Sequence, residues 1–269
     1  MICFPNAKIN LGLSITEKRF DGMHNIETCF VPIPLFDILE IQPSNSFSIT
    51  HYGLPIPGNP NDNLIEKAWN LLLSVRKEIK PVKILLYKNI PIGSGLGGGS
   101  SNATFFLVAM NSLFSLGFSS DEIQFLSSKI GADCPFFVKN EVTFAKGVGN
   151  IFSSIENPVY GMHITIVFPN VHISSKDVYS KIKQVNISNL STVLNNEKST
   201  WKSELKNELE EIVFDDFSNI KKIKDLLYDS GALYASLTGS GSAIYALSDK
   251  PIDIKKIPNK YSVWSGILN

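Results

Sequence analysis

Residues 91–101 read Pro-Ile-Gly-Ser-Gly-Leu-Gly-Gly-Gly-Ser-Ser, with glycines at 93, 95, 97, 98 and 99. Glycine has no Cβ, so its backbone reaches φ > 0 and can approach a ligand closely. A strand-like stretch, 82–87, precedes the run, and an apolar helical stretch, about 101–116, follows it. Unpaired amide N–H groups then converge at the helix start, where the positive end of the helix dipole also points. That is the chemistry of a polyphosphate cradle. Its candidate contacts are Pro91, Ile92, Gly93, Ser94, Gly95, Leu96, Gly97, Gly98, Gly99, Ser100 and Ser101. The two serine hydroxyls suit a phosphate oxygen or a phosphate-bound Mg²⁺. A flexible glycine linker is the alternative, but linkers are not bracketed so closely by a strand and a helix.

The run departs from three other glycine loops. Gly93 and Gly98 have the P-loop spacing, but Gly99 stands where that motif needs lysine. Gly93, Gly95 and Gly98 satisfy G-x-G-x-x-G, yet Asp121 and Glu122 open another helical stretch instead of ending a second strand. A protein-kinase glycine loop is followed by a lysine-bearing strand, whereas here a helix follows.

The full string 91–103, Pro-x-Gly-x-Gly-Leu-Gly-Gly-Gly-Ser-Ser-Asn-Ala, resembles the phosphate loop of the GHMP small-molecule kinases. Two further segments are similar to that family's other motifs. They are Pro5-Asn6-Ala7-Lys8-Ile9-Asn10-Leu11-Gly12-Leu13 and Leu237-Thr238-Gly239-Ser240-Gly241-Ser242-Ala243. The three occur in the family's order and span nearly the whole chain. Arg19-Phe20-Asp21-Gly22-Met23-His24 and Gly131-Ala132-Asp133-Cys134-Pro135-Phe136-Phe137 resemble the branch that phosphorylates 4-diphosphocytidyl-2-C-methyl-D-erythritol, on the non-mevalonate route to isoprenoids. The G-E-H signature of galactokinase- and mevalonate-kinase-like chains does not occur in this segment.

The resemblance implies transfer of the ATP γ-phosphoryl group, with Mg²⁺, to the 2-hydroxyl of that cytidine-diphosphate-linked polyol. It implies Asp133 as base and Lys8 as its charged partner. Asp133 falls in a short turn after Gly131, a candidate helix C′ residue. Its spacing also suits a cap for a helix beginning at Pro135. Lys8 lies on the polar face of an alternating strand beside Asn10, where an exposed lysine is equally ordinary. The family's D-G-x-H places His24 against the cytosine, although a lone histidine is more often structural. Met23 stands where the family usually has a stacking aromatic, and a thioether can pack on a ring face. Tyr179 matches the second stacking aromatic, or is a core tyrosine on a helix face. Thr238 and Gly239 bond substrate phosphates, or simply close a hairpin. Asn63 matches a segment that flanks the adenosine pocket.

These residues need elements to position them. Alternation over 7–16 predicts a half-buried strand, with Ala7, Ile9, Leu11, Leu13 and Ile15 on one face. Residues 26–52 predict further strands, interrupted by Pro32, Pro34 and Pro43. Turn chemistry fills 53–63, and a helix over about 64–77 starts with Asp62 or Asn63 as its cap. A helix over 121–129 and a strand and turn over 143–149 follow. The seam between domains is expected at 153–161, dividing the chain into 1–155, which binds ATP, and 156–269. Beyond it come strands at 163–168, 233–237, 243–247 and 261–265, and helices at 175–184, 203–213 and 217–229. The pattern is α+β, in two domains. The resemblance implies a ribosomal-S5-domain-2-like first half and a ferredoxin-like second half.

Composition sets the outer bounds. Twenty-five basic and twenty-five acidic side chains cancel, and Arg19 and Arg76 are the only arginines. That argues against a binder of nucleic-acid backbones, although the implied fold keeps an RNA-binding module as an alternative. Another GHMP kinase, for homoserine, a sugar or a mevalonate derivative, is the nearer one. Cys3, Cys29 and Cys134 form no disulfide framework, and no metal-ligand spacing occurs. No apolar run reaches the ~18 residues of a membrane span, and no signal peptide is evident. The expectation is a cytoplasmic enzyme with small-molecule partners.

Overall fold

A computed structural model describes residues 1–56 and 63–269 of the chain. Among the described residues the elements are β1 (Ile2–Cys3), β2 (Asn6–Lys18), β3 (His24–Phe36), β4 (Ile38–Pro43), β5 (Ser48–Gly53), α1 (Leu64–Val75), β6 (Val82–Lys88), α2 (Gly98–Leu113), α3 (Ser120–Ser128), α4 (Phe136–Lys139), β7 (Thr143–Lys146), β8 (Ile151–Ser154), β9 (His163–Phe168), α5 (Ser175–Ser180), α6 (Leu190–Asn195), α7 (Trp201–Glu204), α8 (Glu210–Asp216), α9 (Ser218–Asp229), β10 (Tyr234–Leu237), β11 (Ile244–Ser248) and β12 (Ser262–Ile267). They form two compact units, each drawn from three chain segments. One holds 1–8, 35–92 and 97–141, and the other holds 9–34, 93–96 and 142–269. The sequence offers a single seam at 153–161, but compactness follows strand pairing. β3 pairs with β7, Thr28 opposite Ala145, and so draws an early stretch of chain into the second unit.

The first unit is a sheet of order β1-β4-β6-β5, antiparallel except for the β5–β6 pair. Strict alternation along β6 buries Val82, Ile84, Leu86 and Lys88. The apolar members, with Leu39 and Ile41 of β4, meet Ile65, Trp69 and Leu72 of α1 and Phe106 and Met110 of α2. Each such side chain, fully buried, contributes about 1.5–3 kcal/mol. α1 begins at Asn63, whose Oδ1 accepts the Ile65 N–H at 2.9 Å. Asp62, the alternative cap, lies outside the described residues.

α2 is buried over most of its first ten residues. It starts at Gly98, three positions before the expected helix, because Gly97 takes the left-handed conformation (φ 70°) and serves as its N-cap. α3 opens with a capping box between Ser119 and Glu122.

The second unit contains the antiparallel sheet β10-β11-β9-β12. Its core joins Val167, Leu237 and Ile244 of that sheet to Leu13, Ile15, Val213, Ile220, Ile223 and Leu227. β2, β3, β7 and β8 make a further four-stranded sheet.

Three expectations are corrected. β3 runs straight through Pro32 and Pro34. These prolines are two residues apart, so their missing N–H groups turn to one edge, and the β7 pairing has already ended at Phe30. The helix expected over 203–213 is broken into α7 and α8. The intervening backbone pairs elsewhere: Leu13 N–H donates to Lys206 O at 2.9 Å, and Glu208 N–H to Leu13 O at 2.9 Å. α5 ends at Ser180, short of the expected 184, and α6 had no counterpart among the expected elements.

Candidate functional site

In the first unit, β2 begins with Asn6, Ala7 and Lys8, and Lys8 is only 3% exposed. Its Nζ lies 3.3 Å from Oδ2 of Asp133, which is 35% exposed. Asp133 sits in the turn between α3 and α4. That turn is held by the Cys134 N–H on Gly131 O (3.2 Å) and by Thr104 Oγ1 of α2 donating to Cys134 O (2.9 Å). Asp133 does not cap α4, whose N-cap Pro135 has no side-chain cap bond. Gly131 is not left-handed either, so it is no helix C′ glycine of the usual kind.

The mouth of α2 lies beside this pair. A Cβ on Gly97 would stand 3.2 Å from Cγ and Cε of Lys8 and 3.1 Å from Phe137 Cζ. The Lys8 stem therefore packs on the residue that starts the helix. No side chain caps α2, and a helix leaves its first amides without intrahelical partners. Ser101 Oγ is fully buried in the first turn and has no hydrogen-bond partner. Converging backbone donors, an orphaned hydroxyl and a neighbouring ammonium suit an anion rich in oxygen.

Behind the mouth is a cluster the sequence reading missed. Asp37, Lys88 and Asn102 are all buried. Lys88 Nζ donates to Asp37 Oδ2 and to Asn102 Oδ1, the latter at 3.0 Å. Burial pushes the Lys88 ammonium below its ordinary pKa, and contact with Asp37 opposes that. Lys88 could have been noticed, because it falls in phase with buried Val82, Ile84 and Leu86. Asn63, besides capping α1, places Nδ2 3.4 Å from His51 Nε2.

In the second unit, residues 93–96 pack on the turn between β10 and β11. A Cβ on Gly95 (φ 80°) would lie 2.0 Å from Thr238 O. Thr238 Oγ1 donates to Gly95 O at 3.2 Å, and Ala243 N–H donates to Ser94 O at 3.1 Å. Asn10 is buried here. Its N–H donates to Thr238 Oγ1 (3.2 Å), its Nδ2 to Thr28 Oγ1 (3.1 Å), and its carbonyl accepts from the Tyr245 hydroxyl (2.8 Å). Gly239 faces it, since a Cβ there would be 3.4 Å from Asn10 Oδ1. Thus Asn10, Gly95, Thr238 and Gly239 are brought together. His172, which the sequence reading passed over, abuts Gly93, with Nδ1 2.4 Å from where a Cβ would be.

His24 and Tyr179 form a separate group in the same unit, with ring centroids 5.7 Å apart and planes tilted by 40°. His24 is buried, and neither ring nitrogen has a hydrogen-bond partner. Burial and then the charge of Lys18 push its pKa below the ordinary histidine value. A neutral imidazole offers one donor and one acceptor. Met23 beside it is exposed, and Tyr179 also touches the core of the unit.

Among the described residues no helix is long and apolar enough to cross a membrane. Residues 63–141 match the model for the GHMP kinases N terminal domain, and residues 186–262 match GHMP kinases C terminal. A 4-diphosphocytidyl-2-C-methyl-D-erythritol kinase of Bacteroides thetaiotaomicron is 47% identical over 252 residues, covering 92% of each chain. One from Parabacteroides distasonis is 42% identical over the whole of both chains. A crystal structure of 4-(cytidine 5'-diphospho)-2C-methyl-D-erythritol kinase superposes with a TM-score of 0.82 at 27% identity, covering 99% of this chain and 98% of that one.

Proposed function

The chain belongs to the GHMP kinase family, and from that premise we propose that it transfers the γ-phosphoryl group of ATP to the 2-hydroxyl of 4-diphosphocytidyl-2-C-methyl-D-erythritol. The observation that carries the chemistry is the 3.3 Å pair of Lys8 and Asp133, with the Lys8 stem packed on the N-cap of α2. Similarity to kinases named for that substrate, at 42–47% identity over 92–100% of the chain, carries the choice of acceptor.

Phosphoryl transfer asks little covalent chemistry of a protein. It needs a held phosphate chain, an oriented hydroxyl and compensation of charge. The amides of the glycine run, residues 91–101, hold the polyphosphate, assisted by the α2 dipole. Ser101 Oγ, buried without a partner, suits a phosphate oxygen or a phosphate-bound Mg²⁺. Mg²⁺ arriving on the nucleotide would supply charge neutralisation on the transferring group. Asp133 accepts the proton of the acceptor hydroxyl, and its partial exposure leaves it reachable. Lys8 orients that hydroxyl and offsets the negative charge that develops on the phosphoryl oxygens. The acceptor hydroxyl is tertiary, so orientation weighs as heavily as activation.

His24 reads the cytosine edge with its two unpartnered nitrogens, and Tyr179 packs against the base beside it. Asn10, Thr238 and Gly239 shape the surroundings of the acceptor's phosphates. Asn63 flanks the adenosine. Residues 91–101 and Asn63 thus serve ATP, and Asn10, His24, Tyr179, Thr238 and Gly239 serve the acceptor.

An ADP-release assay with a panel of acceptors tests the assignment. Turnover is expected with the cytidylated methylerythritol and not with homoserine, galactose or mevalonate. Turnover with one of those three instead would move the chain to another branch of the family.

A further inference from the structure

Three buried side chains with no assigned part in the transfer step meet beneath the first turn of α2. Asp37 lies between β3 and β4 and is fully buried. Its Oδ1 accepts the backbone N–H groups of Asn89 at 2.7 Å and Ile90 at 2.9 Å. Its Oδ2 accepts from Asn102 Nδ2 at 2.8 Å and from Lys88 Nζ. Lys88 Nζ also donates to Asn102 Oδ1 at 3.0 Å. A Cβ on Gly98 would stand 3.3 Å from Lys88 Nζ, which places the ammonium against the backbone of the helix mouth.

Stability alone is a poor reason for such a pair. A buried ion pair seldom outdoes apolar side chains of the same volume, because both charges must be stripped of water. The connections made by Asp37 suggest another role. Asn89 and Ile90 are the last residues before the glycine run, and Asn102 is on the first turn after it. One carboxylate therefore grips the chain where it enters the run and where it leaves. Between these points Gly93, Gly95 and Gly97 all adopt positive φ. Glycine-rich backbone loses more freedom on ordering than any other, so fixing its ends lowers the cost of aligning its amides on a ligand.

We infer that Asp37, Lys88 and Asn102 are positioning residues for the phosphate loop, acting by tying its two ends to one buried anchor. The inference rests on reading the mouth of α2 as the site of the ATP phosphates. Asn102 is the arm that reaches α2, Asp37 is the hub, and Lys88 neutralises the hub. The tether, not the charge, is the working part.

Two variants of the full chain separate these ideas. Asn102→Ala unties α2 and leaves the Asp37–Lys88 pair in place. Asp37→Asn combined with Lys88→Met removes both charges. The new amide oxygen still accepts from the Asn89 and Ile90 N–H groups, and its NH₂ can donate to Asn102 Oδ1. Binding of the non-hydrolysable ATP analogue AMP-PNP is measured by calorimetry, KM for ATP and for the acceptor by ADP release, and folding by thermal melting.

Asn102→Ala is expected to weaken AMP-PNP binding and raise KM for ATP about tenfold, the scale of one or two lost hydrogen bonds. The acceptor KM stays within about twofold of wild type, because the change acts through the phosphate loop. The double variant is expected to bind AMP-PNP within about threefold of wild type. Should Asn102→Ala not stay folded, Asn102→Leu carries the same expectation with its volume nearly preserved and no charge added. AMP-PNP binding within twofold of wild type by the Asn102 variant overturns the inference. So does an equal rise in both KM values, or a double variant as weak as Asn102→Ala. A wild-type chain that does not bind AMP-PNP overturns the kinase reading itself, and this inference with it.

Discussion

Lys8 leans its methylene stem on Gly97 and points its ammonium at Asp133. A Cβ at Gly97 would be 3.2 Å from Lys8 Cγ and Cε, and Nζ is 3.3 Å from Asp133 Oδ2. The residue that opens α2 thus sets where the charge of Lys8 sits. Lys8→Met keeps the stem and removes the charge, and Asp133→Asn keeps the shape and removes the base. Each is expected to lower kcat by about 10²–10⁴, the range for a lost acid–base or charge-stabilising group. AMP-PNP affinity should change little, because the phosphate amides are untouched. Single-turnover rates and calorimetry on the same preparations check this. A kcat within threefold of wild type removes that residue from its role.

Gly95 and Gly99 are two residues of one run that should respond oppositely to alanine. Gly95 is left-handed (φ 80°), and its Cβ would meet the Thr238 carbonyl oxygen at 2.0 Å. Gly95→Ala therefore combines a left-handed backbone cost of about 1–2 kcal/mol with overpacking of about 1–3 kcal/mol. Gly99 is inside α2 with ordinary φ, and its nearest contact would be Leu64 Cδ1 at 3.6 Å. Gly99→Ala should leave stability unchanged or raise it by about 0.5–1 kcal/mol. Thermal or urea melts of the two variants decide it. Equal loss in both would show that the run is not held as described.

Much of this is legible in the sequence, and what is not has identifiable physical causes. The glycine run, the alternating strand carrying Lys8, and the Asp133 turn are local patterns, so spacing reveals them. That Lys8 is buried at 3% exposure is not local. It depends on Gly97 packing on its stem, a residue about ninety positions away. Asp37 lies between two strands and Lys88 ends another. Their pairing spans fifty-one positions and joins opposite charges that hydrophobic periodicity cannot register. The break between α7 and α8 was hidden likewise, since residues 206–208 keep a helical composition while their backbone pairs with Leu13. The interleaving of the two units has the same origin, in strand pairing at long separation.

His24 provides a test by pH. Burial holds its folded-state pKa below the unfolded value of about 6.5. The unfolded chain then binds the proton more readily, so this contribution to stability is complete above the unfolded value and falls as pH drops toward the folded one. Recognition of a base edge needs the neutral ring, one donor and one acceptor. Acceptor KM should be flat from pH 7 to 8 and rise only as pH falls below the ordinary histidine value. His24→Phe keeps the ring packing on Tyr179 and removes both nitrogens. It should raise acceptor KM about 10–100-fold, abolish the acid limb, and leave KM for ATP unmoved. An acid limb unchanged in His24→Phe assigns that titration to another group.

Ser101 carries the sharpest contrast between stability and binding. Its hydroxyl is fully buried in the first turn of α2 with no partner. A buried polar group left unpaired costs about 1–3 kcal/mol, and alanine is the better helix former. Ser101→Ala should thus make the free protein slightly more stable, by up to about 1 kcal/mol once the small space left by the oxygen is counted. If the hydroxyl is kept for a phosphate oxygen or its Mg²⁺, the same change should weaken binding of AMP-PNP with Mg²⁺ about tenfold. Melting curves with and without the nucleotide read both effects at once. The ligand-free transition moves up, and the further upward shift on adding ligand shrinks, because stabilisation by a ligand scales with the logarithm of its affinity. A lower ligand-free transition with an undiminished ligand shift would mean that the hydroxyl is bonded within the folded chain and faces no ligand.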